Sequence, residues 1–176
     1  MSKNLLSILF FIFFIHGCDF SKEIKKDFIK TKTSNFTLLN FDSNIENIVL
    51  EILKSKNIFI VNNTLFFIDL LENETNIFID TKKLTDLIKN KIIKKNPKIN
   101  LLKTEIIEKN KKALGILKIK NTLDTSTALL LSRNNHVKYY LHSCISGKNK
   151  LFSLKIELIL VETGEIVFMK KERLYL

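Results

Sequence analysis

Two residues in the last third of the chain have the types that nucleophilic catalysis uses. His142 and Cys144 lie two positions apart in a stretch with strand character, so both side chains point to the same face. A thiol beside an imidazole can act as a nucleophile with its base, and His136 could join them as a third metal ligand. The alternative is a small buried thiol beside a partly exposed histidine. We favour this alternative, because catalytic pairs usually come from separate elements and three ligands leave a zinc site incomplete.

Three carboxylates form a second group with possible chemistry. Asp69, Glu72 and Glu74 surround the end of a predicted strand, and two of them could serve as acid and base in glycoside cleavage. Asp69 has a simpler role as a hydrogen-bond acceptor in the following turn. The chain contains no glycine-rich phosphate loop, HExxH or GxSxG motif. We therefore predict a binding protein that is not an enzyme and needs no cofactor, metal or small-molecule substrate.

The N-terminus carries an export signal. Residues 5–15 are almost wholly apolar but fall short of the roughly 20 residues that a membrane-spanning helix needs, and they fit the core of a secretory signal. The run ends in Ile15-His16-Gly17-Cys18, which resembles the bacterial lipobox. The resemblance implies cleavage after Gly17 and a lipid on the Cys18 thiol, which removes that thiol from disulfide and metal chemistry. Several acyl chains on one residue would anchor the protein stably.

Composition limits the kind of domain that the rest of the chain can form. The chain has 176 residues, 45% of them hydrophobic, which is enough for one domain with a core. With Cys18 lipidated, Cys144 is the remaining cysteine, so no disulfide framework is possible. The formal net charge is +11, but the lysines are spread along the chain together with Asn, Ile and Phe, as AT-rich codons favour. We therefore exclude nucleic acid, whereas an acidic partner surface or anionic lipid remains compatible.

Hydrophobic periodicity predicts the order α-β-α-β-α-α-β-β-β. Residues 18–40 show no clean period and are interpreted as a tether, at most roughly 70 Å long when extended and about 25 Å on average as a coil. The stretch 72–76, ENETN, is predicted to be a polar loop. The predicted helices cover 41–55, 80–95, 104–114 and 123–135, and the predicted strands cover 62–71, 98–102, 137–146, 151–161 and 165–171.

Local signals predict how these elements begin and how they are covered. Ser43 and Glu46 have capping-box spacing, and Asp80, Thr104 and Asp124 stand where helix N-caps are expected. The strand over 62–71 has apolar residues at both parities, so it is predicted to be central and covered on both faces. The last three strands alternate apolar and polar residues, which predicts an antiparallel meander.

Four segments after the lipobox carry a family resemblance. In chain order they are LFFIDLLENETN, LLKTEIIEKNKKALG, LDTSTALLLSRNNHVKYYLHSCISG and LKIELILVETGEIVF. Together they resemble the LpoB family, lipoprotein activators of a bifunctional penicillin-binding protein. The resemblance covers roughly residues 41–170, and its most specific pieces are Asn73-x-Thr75-Asn76 and the stretch LVETGEI at 160–166.

The resemblance implies a fold similar to the N-terminal domain of TolB. This is an α/β (α+β) fold with a small mixed sheet, a C-terminal antiparallel meander and about four packed helices. The implied domains are a signal peptide over 1–17, a lipid-anchored tether over 18–40 and a globular domain over 41–176. The implied role is to dock onto a regulatory domain of a 1B-type peptidoglycan synthase and stimulate glycan polymerisation and crosslinking.

Two departures from the family bear on location. The family's tether is long and rich in Pro and Gln, whereas residues 18–40 are few and rich in Lys. Asp19 follows the lipidated cysteine, and an aspartate there resembles the signal for retention in the inner membrane. The family implies an outer-membrane lipoprotein facing the periplasm, and the two departures favour the inner membrane. The alternative is that Asp19 reflects drift in a reduced genome.

The partner-binding surface is predicted on two segments. The first is the polar stretch after the central strand, and the second is the face of the C-terminal strands. A simpler interpretation of the first segment is a turn with Asn73 and Thr75 bonded to backbone. Competing functions are a TolB- or CsgG-like envelope-assembly lipoprotein without a synthase partner, and a periplasmic hydrolase. The predicted binding residues are Asn73, Glu74, Thr75, Asn76, Tyr140, His142, Lys155 and Glu157.

Overall fold

The computed structural model describes residues 36–116, 122–148 and 151–175. The predicted signal, Cys18 and the predicted tether before Phe36 lie outside the described residues. Within the described ranges no helix is both long enough and apolar enough to cross a membrane. The helices are α1 (Phe36–Lys54), α2 (Thr81–Lys95), α3 (Thr104–Ala113) and α4 (Thr125–Asn134). The strands are β1 (Thr64–Ile68), β2 (Glu72–Thr75), β3 (Ile99–Leu101), β4 (Tyr139–Lys148), β5 (Leu151–Leu160) and β6 (Glu165–Tyr175).

The strands form one mixed sheet in the order β3-β1-β4-β5-β6, with β2 also beside β4. Strand β1 pairs in parallel with both β3 and β4, and this central position was predicted from its apolar residues at both parities. Strands β4, β5 and β6 form the predicted antiparallel meander, with an irregularity between Leu158 and Ile159 on β5. The prediction of a mixed α/β sheet with a C-terminal meander is therefore confirmed.

The prediction of a loop over 72–76 is wrong. Glu72–Thr75 forms β2, which pairs in parallel with β4 from Cys144 to Gly147. The stretch has no apolar residue, so periodicity gives no sign of a strand. Its conformation comes from the backbone groups that the second half of β4 offers beyond its pairing with β1.

Helix starts agree with the sequence where a side-chain cap exists. Asp80 Oδ1 accepts from the N–H of Lys83 at 3.0 Å, and Asp124 Oδ1 accepts from the N–H of Thr127 at 2.9 Å. Helix α1 begins at Phe36, inside the predicted tether, so the proposed capping box at Ser43 lies within the helix. The N-cap of α3 is Lys103 rather than Thr104, and it makes no side-chain cap bond.

Helices α1 and α2 cover one face of the sheet with a large apolar core. Their inward residues, such as Ile45 and Ile88, pack against strand residues such as Phe66 and Leu141. Lys91 and Lys95 of α2 reach Glu46 of α1 at 2.7 and 2.6 Å, which fixes the two helices side by side. Burial of these alternating strand residues explains why the meander is so clear in the sequence.

Helices α3 and α4 cover only part of the opposite face. Their buried residues Ile107, Ala128 and Leu131 belong to a second core. The residues of the sheet side that take part in this core are Phe67, Tyr140 and Ile159, with Val161 just after β5. All four lie in the half of the sheet where β1 pairs with β4, or just beyond the end of β5. The second half of that face is therefore left to polar side chains.

Candidate functional site

Polar side chains occupy the part of the sheet that the second core does not reach. Cross-strand partners share a face of the sheet, so the pairing register places them in three rows. We call this group the open sheet face. Its rows are His142, Glu157 and Met169; Glu72, Cys144, Lys155 and Lys171; and Glu74, Ser146, Ser153 and Arg173.

The open sheet face is electrically asymmetric. Strand β2 contributes the carboxylates of Glu72 and Glu74 at one side, and β6 contributes the cations of Lys171 and Arg173 at the other. Glu74, Lys171 and Arg173 are exposed. Such a surface matches a partner that carries cations facing β2 and carboxylates facing β6.

His142 lies at the centre of the acidic side and is held by two carboxylates. Its Nδ1 is 3.3 Å from Glu157 Oε2, and its Nε2 is 3.5 Å from Glu72 Oε2. Lys155 Nζ lies 3.1 Å from the same Glu157 oxygen. The predicted binding residues His142, Lys155 and Glu157 are therefore one connected polar group.

Cys144 is unsuited to the nucleophilic role considered from the sequence. Burial raises the pKa of its thiol to about 12, and a hydrogen bond from the thiol to Glu74 adds to the effect. The thiol is therefore protonated at neutral pH and gives little thiolate for attack. His136, in the turn after α4, has a left-handed backbone with φ 56° and is exposed outside this group.

The described residues offer one group with ligand atoms close enough to hold a metal. Oxygens of Glu72 and Glu74 and the Cys144 sulfur lie within 4.8 Å of one another. A thiol must lose its proton to bind a metal, and the raised pKa of Cys144 opposes that loss. We therefore interpret Glu72, Glu74 and Cys144 as a hydrogen-bonded group of the open sheet face and not as a metal site.

Asp69 has a structural role at the break between β1 and β2. Its Oδ1 accepts from the N–H of Leu70 at 2.8 Å, and its Oδ2 accepts from the N–H of Leu123 at 3.0 Å. Burial raises the pKa of this carboxyl, although the two backbone donors partly oppose the rise. Asp69 is therefore a buried hydrogen-bond acceptor that joins the end of β1 to the start of the segment before α4.

Asn73 and Thr75 make the side-chain bonds to backbone that the simpler interpretation expected, but they make them within strand β2 and to the bend after it, not in a turn of their own. Asn73 Oδ1 accepts from the backbone N–H of Thr75 at 3.0 Å and from its hydroxyl at 2.6 Å. Asn73 Nδ2 donates to the carbonyl of Ile77 at 3.0 Å. These bonds hold the end of β2 in place, with Glu74 and Asn76 exposed beside it.

Tyr140 does not belong to the predicted binding surface. Its side chain is 0% exposed and stacks against Phe67 with ring centroids 5.3 Å apart. Burial raises the pKa of its hydroxyl, which has no hydrogen-bond partner among the described residues. Tyr140 and His142 are two positions apart and therefore lie on the same face of the sheet. Helices α3 and α4 cover Tyr140 but do not extend over His142, so the two side chains have different environments.

The sequence interpretation missed three exposed members of the open sheet face. Met169, Lys171 and Arg173 lie on β6 opposite Glu157, Lys155 and Ser153. The signal was the period of two in β6, together with the meander that the sequence already predicted. Knowing which residues of β5 and β6 pair with each other would have identified all three. The irregularity between Leu158 and Ile159 shifts the pairing only near the turn between the two strands, so simple alternation gives the correct partners for these three residues.

Comparison with known proteins gives a consistent match. The family model described as peptidoglycan-synthase activator LpoB matches residues 21–174. An uncharacterized protein of Buchnera aphidicola subsp. Acyrthosiphon pisum is 64% identical over 96% of this chain and 99% of that protein. A penicillin-binding protein activator LpoB of Pantoea ananatis is 28% identical over 74% of this chain and 64% of that protein.

Solved structures resemble the fold. The LpoB C-terminal domain from Salmonella enterica superposes with a TM-score of 0.70 at 23% identity, covering 78% of this chain and 99% of that chain. The corresponding Escherichia coli domain gives a TM-score of 0.69 with the same coverage.

Proposed function

Because the chain belongs to the LpoB family of peptidoglycan-synthase activators, we propose that it binds and activates a bifunctional peptidoglycan synthase as a membrane-anchored lipoprotein. The family match over residues 21–174 is the observation that carries this proposal. It spans nearly the whole chain and includes every described helix and strand except the last residue of β6. In this proposal the protein regulates cell-wall synthesis by docking and catalyses no step itself.

The anchor in this proposal is a lipid on Cys18. Residues 1–17 act as the signal peptide, and a tether joins Cys18 to the globular domain, whose described part begins with α1 at Phe36. Asp19 and the short tether support an inner-membrane location beside the synthase. Fractionation of the envelope tests this, because recovery of the chain in the outer membrane would contradict the inner-membrane location and leave the anchor intact.

The docking surface in this proposal is the open sheet face together with the adjoining turn at the end of β2. The β4–β5–β6 meander supports it from behind with the first core, so its side chains stand on a rigid base. The open sheet face offers charges of both signs and the exposed apolar side chain of Met169, at 59% exposure, and the adjoining turn exposes Ile77 and Phe78. Oppositely charged groups on a partner would set its orientation, and apolar contacts would add affinity.

A reconstitution experiment tests the function. The full chain and the purified bifunctional synthase from the same cell are mixed, and glycan polymerisation from the lipid-linked precursor is followed. We expect a several-fold rise in rate. An unchanged rate without co-sedimentation of the two proteins would overturn the activator function and bring the envelope-assembly alternative forward.

A matched pair of charge reversals tests the surface. Lys171→Glu with Arg173→Glu reverses the cationic side of the open sheet face, and the stimulated rate should fall to near that of the synthase alone. Lys82→Glu with Lys83→Glu makes the same change in charge on exposed residues of α2, which packs on the other side of the sheet. Full stimulation should remain with this control. Equal loss in both variants would contradict docking at the open sheet face.

The non-enzymatic part of the proposal has its own test. Cys144→Ser removes the thiol that a Cys–His hydrolase would need, while Ser preserves a small polar side chain beside Glu74. We expect synthase stimulation to stay within twofold of the unchanged chain. Hydrolysis of cell-wall material by the unchanged chain that is lost in Cys144→Ser, with an unchanged unfolding midpoint, would support the hydrolase alternative.

A further inference from the structure

A short segment between α1 and β1 displays two large apolar side chains to solvent. Ile58 and Ile60 are partly buried and pack against the first core. Phe59 and Val61 alternate with them and are 70% and 63% exposed. This alternation is that of an extended chain, so the side chains on one side of the segment pack against the domain and those on the other side are exposed to solvent. We call residues 58–61 the apolar loop.

Hydrogen bonds from neighbouring strands hold the apolar loop in its extended form. The Phe59 N–H donates to the hydroxyl of Tyr139 at 2.9 Å, and the Phe59 carbonyl accepts from Lys138 Nζ at 2.9 Å. The Val61 N–H donates to Thr64 Oγ1 at 2.9 Å. Because the backbone is tied at both exposed positions, the fold presents Phe59 and Val61 instead of folding them inward.

The surroundings of the apolar loop carry one dominant sign of charge. No acidic residue occurs from position 54 to position 68, whereas Lys54 and Lys56 lie just before the loop. Lys98 adjoins the start of β1 through the bond from Thr64 N–H to its carbonyl at 3.1 Å. Lys138 contributes a further cation, and the carboxylates that come near in the chain are Glu51, one helical turn before Lys54, and Glu162, which follows Val161. The open sheet face, by contrast, presents both signs.

We propose that the apolar loop is a second membrane contact, which inserts Phe59 and Val61 into an anionic bilayer while the surrounding lysines face its headgroups. Protruding apolar side chains within a cationic surface fit the interface of such a bilayer, where both kinds of contact are satisfied together. The open sheet face has a cationic side and an anionic side, which suit a protein partner that carries both charges. The surroundings of the apolar loop are mainly cationic and do not offer such a pair of sides. The inference rests on the proposed lipid anchor at Cys18, because the bilayer it names is the anchored one.

Chain length allows both contacts on one membrane. Helix α1 has 19 residues and ends at Lys54, next to the apolar loop, so its start lies about 28 Å along its axis from the loop. Residues 18–35 can reach at most roughly 60 Å. This reach exceeds the length of the helix. The anchor and the loop can therefore touch the same bilayer, and joining them raises the effective concentration of the second contact.

Tryptophan fluorescence can test the contact because the chain contains no tryptophan. The full lipidated chain is prepared as Phe59→Trp and, as a matched control, as Phe78→Trp. Phe78 is 82% exposed. Strands β1 and β2 pair with successive halves of β4; the apolar loop precedes β1 and Phe78 follows β2, so the two positions lie near opposite ends of β4. Each variant is reconstituted into vesicles of phosphatidylcholine with phosphatidylglycerol or of phosphatidylcholine alone, and quenching by brominated lipids is measured.

We expect Trp at position 59 to be quenched at least threefold more than Trp at position 78 in the anionic vesicles. The difference should shrink in neutral vesicles, in 0.5 M salt and in a Lys56→Glu, Lys98→Glu variant of Phe59→Trp. Vesicle flotation is measured on the same samples. Flotation with equal, weak quenching at both positions would overturn the loop contact and leave the anchor standing. Failure to float would overturn the anchor itself and the two-point contact with it.

A protein-binding role for the apolar loop gives a different result. In that case the emission of Trp at position 59 would shift to the blue when the soluble synthase is added without vesicles. Such a shift, without quenching by brominated lipid, would overturn the membrane contact.

Discussion

Strand β4 pairs along one edge with two strands of opposite character. In its first half it lies beside β1, whose Phe66 enters the first core and whose Phe67 enters the second. In its second half it lies beside β2, ENET, which contributes to neither core. The backbone pairing is parallel in both halves. The halves differ only in what their side chains can bury.

This difference shows that strand formation and helix coverage have separate causes in this fold. Hydrogen bonds to β4 are sufficient to make β2 a strand, because they satisfy backbone N–H and C=O groups that would otherwise need water as a partner. Apolar side chains on both faces are needed to bring a helix onto each side. Both halves bury residues in the first core and only the half beside β1 adds the second core, so the other half keeps the bare face that we propose as the docking surface.

Truncations at neighbouring positions of β4 should separate the two faces most strongly. Leu141 is 0% exposed in the first core, so Leu141→Ala should lower the free energy of unfolding by about 2–5 kcal/mol. His142, next along the chain, points to the open sheet face, and His142→Ala should cost about 1 kcal/mol or less. Urea denaturation of both variants measures this. A cost for His142→Ala that equals that of Leu141→Ala would show that the open sheet face is part of the core.

The break between the two halves of the β4 edge should be the next most sensitive point. Asp69→Ala removes the acceptors of the Leu70 and Leu123 N–H groups and leaves both donors without them, at a cost of about 1–3 kcal/mol. Hydrogen exchange should rise most at Leu123, because its donor comes from a distant part of the chain. Glu72→Ala, just past the break on the open sheet face, is the control and should change exchange at Leu123 little. Unchanged protection in Asp69→Ala would contradict the role given to this carboxylate.

Most elements of the fold were predictable because their apolar periods are undisturbed. The missing strand was β2, whose residues have no period and whose conformation depends on β4, a strand more than 60 positions later in the chain. The false capping box at Ser43 arose because the helix begins upstream at Phe36, and spacing alone does not distinguish a start from an interior turn. Long-range pairing and helix extension are tertiary effects that a local pattern does not contain.

The candidate site was predictable in part for the same reason. His142, Lys155 and Glu157 meet because alternation along two antiparallel strands fixes their face. Tyr140 follows the same alternation, yet α3 and α4 bury it, and no period in β4 reports where a helix crosses the sheet. Met169 required the register of the final hairpin, which turn chemistry and strand length leave undetermined.

Acid should weaken the covered face through the ion pairs that join its helices. Hydrogen bonds and charge from Lys91 and Lys95 lower the pKa of Glu46 to about 2, from 4.5 in the absence of such partners. A lowered carboxyl pKa gives stability that is complete above about pH 4.5 and is lost as the pH falls toward 2. Glu46→Gln should therefore show a shallower loss of its unfolding midpoint between pH 5 and pH 2.5. Glu162→Gln, in the exposed turn after β5, should keep the slope of the unchanged chain, and equal slopes in all three would contradict the linkage.

The smallest expected effect concerns Tyr140, which marks the border between the two halves. Its ring is fully buried against Phe67, and its hydroxyl has no hydrogen-bond partner among the described residues. Tyr140→Phe keeps the ring and removes the unsatisfied group, so the free energy of unfolding should stay the same or rise by up to about 1 kcal/mol. Synthase stimulation should also stay unchanged, because the hydroxyl does not reach the open sheet face. If stimulation fell while the unfolding midpoint held, the docking surface would have to extend beneath α4, and the border would lie on the other side of Tyr140.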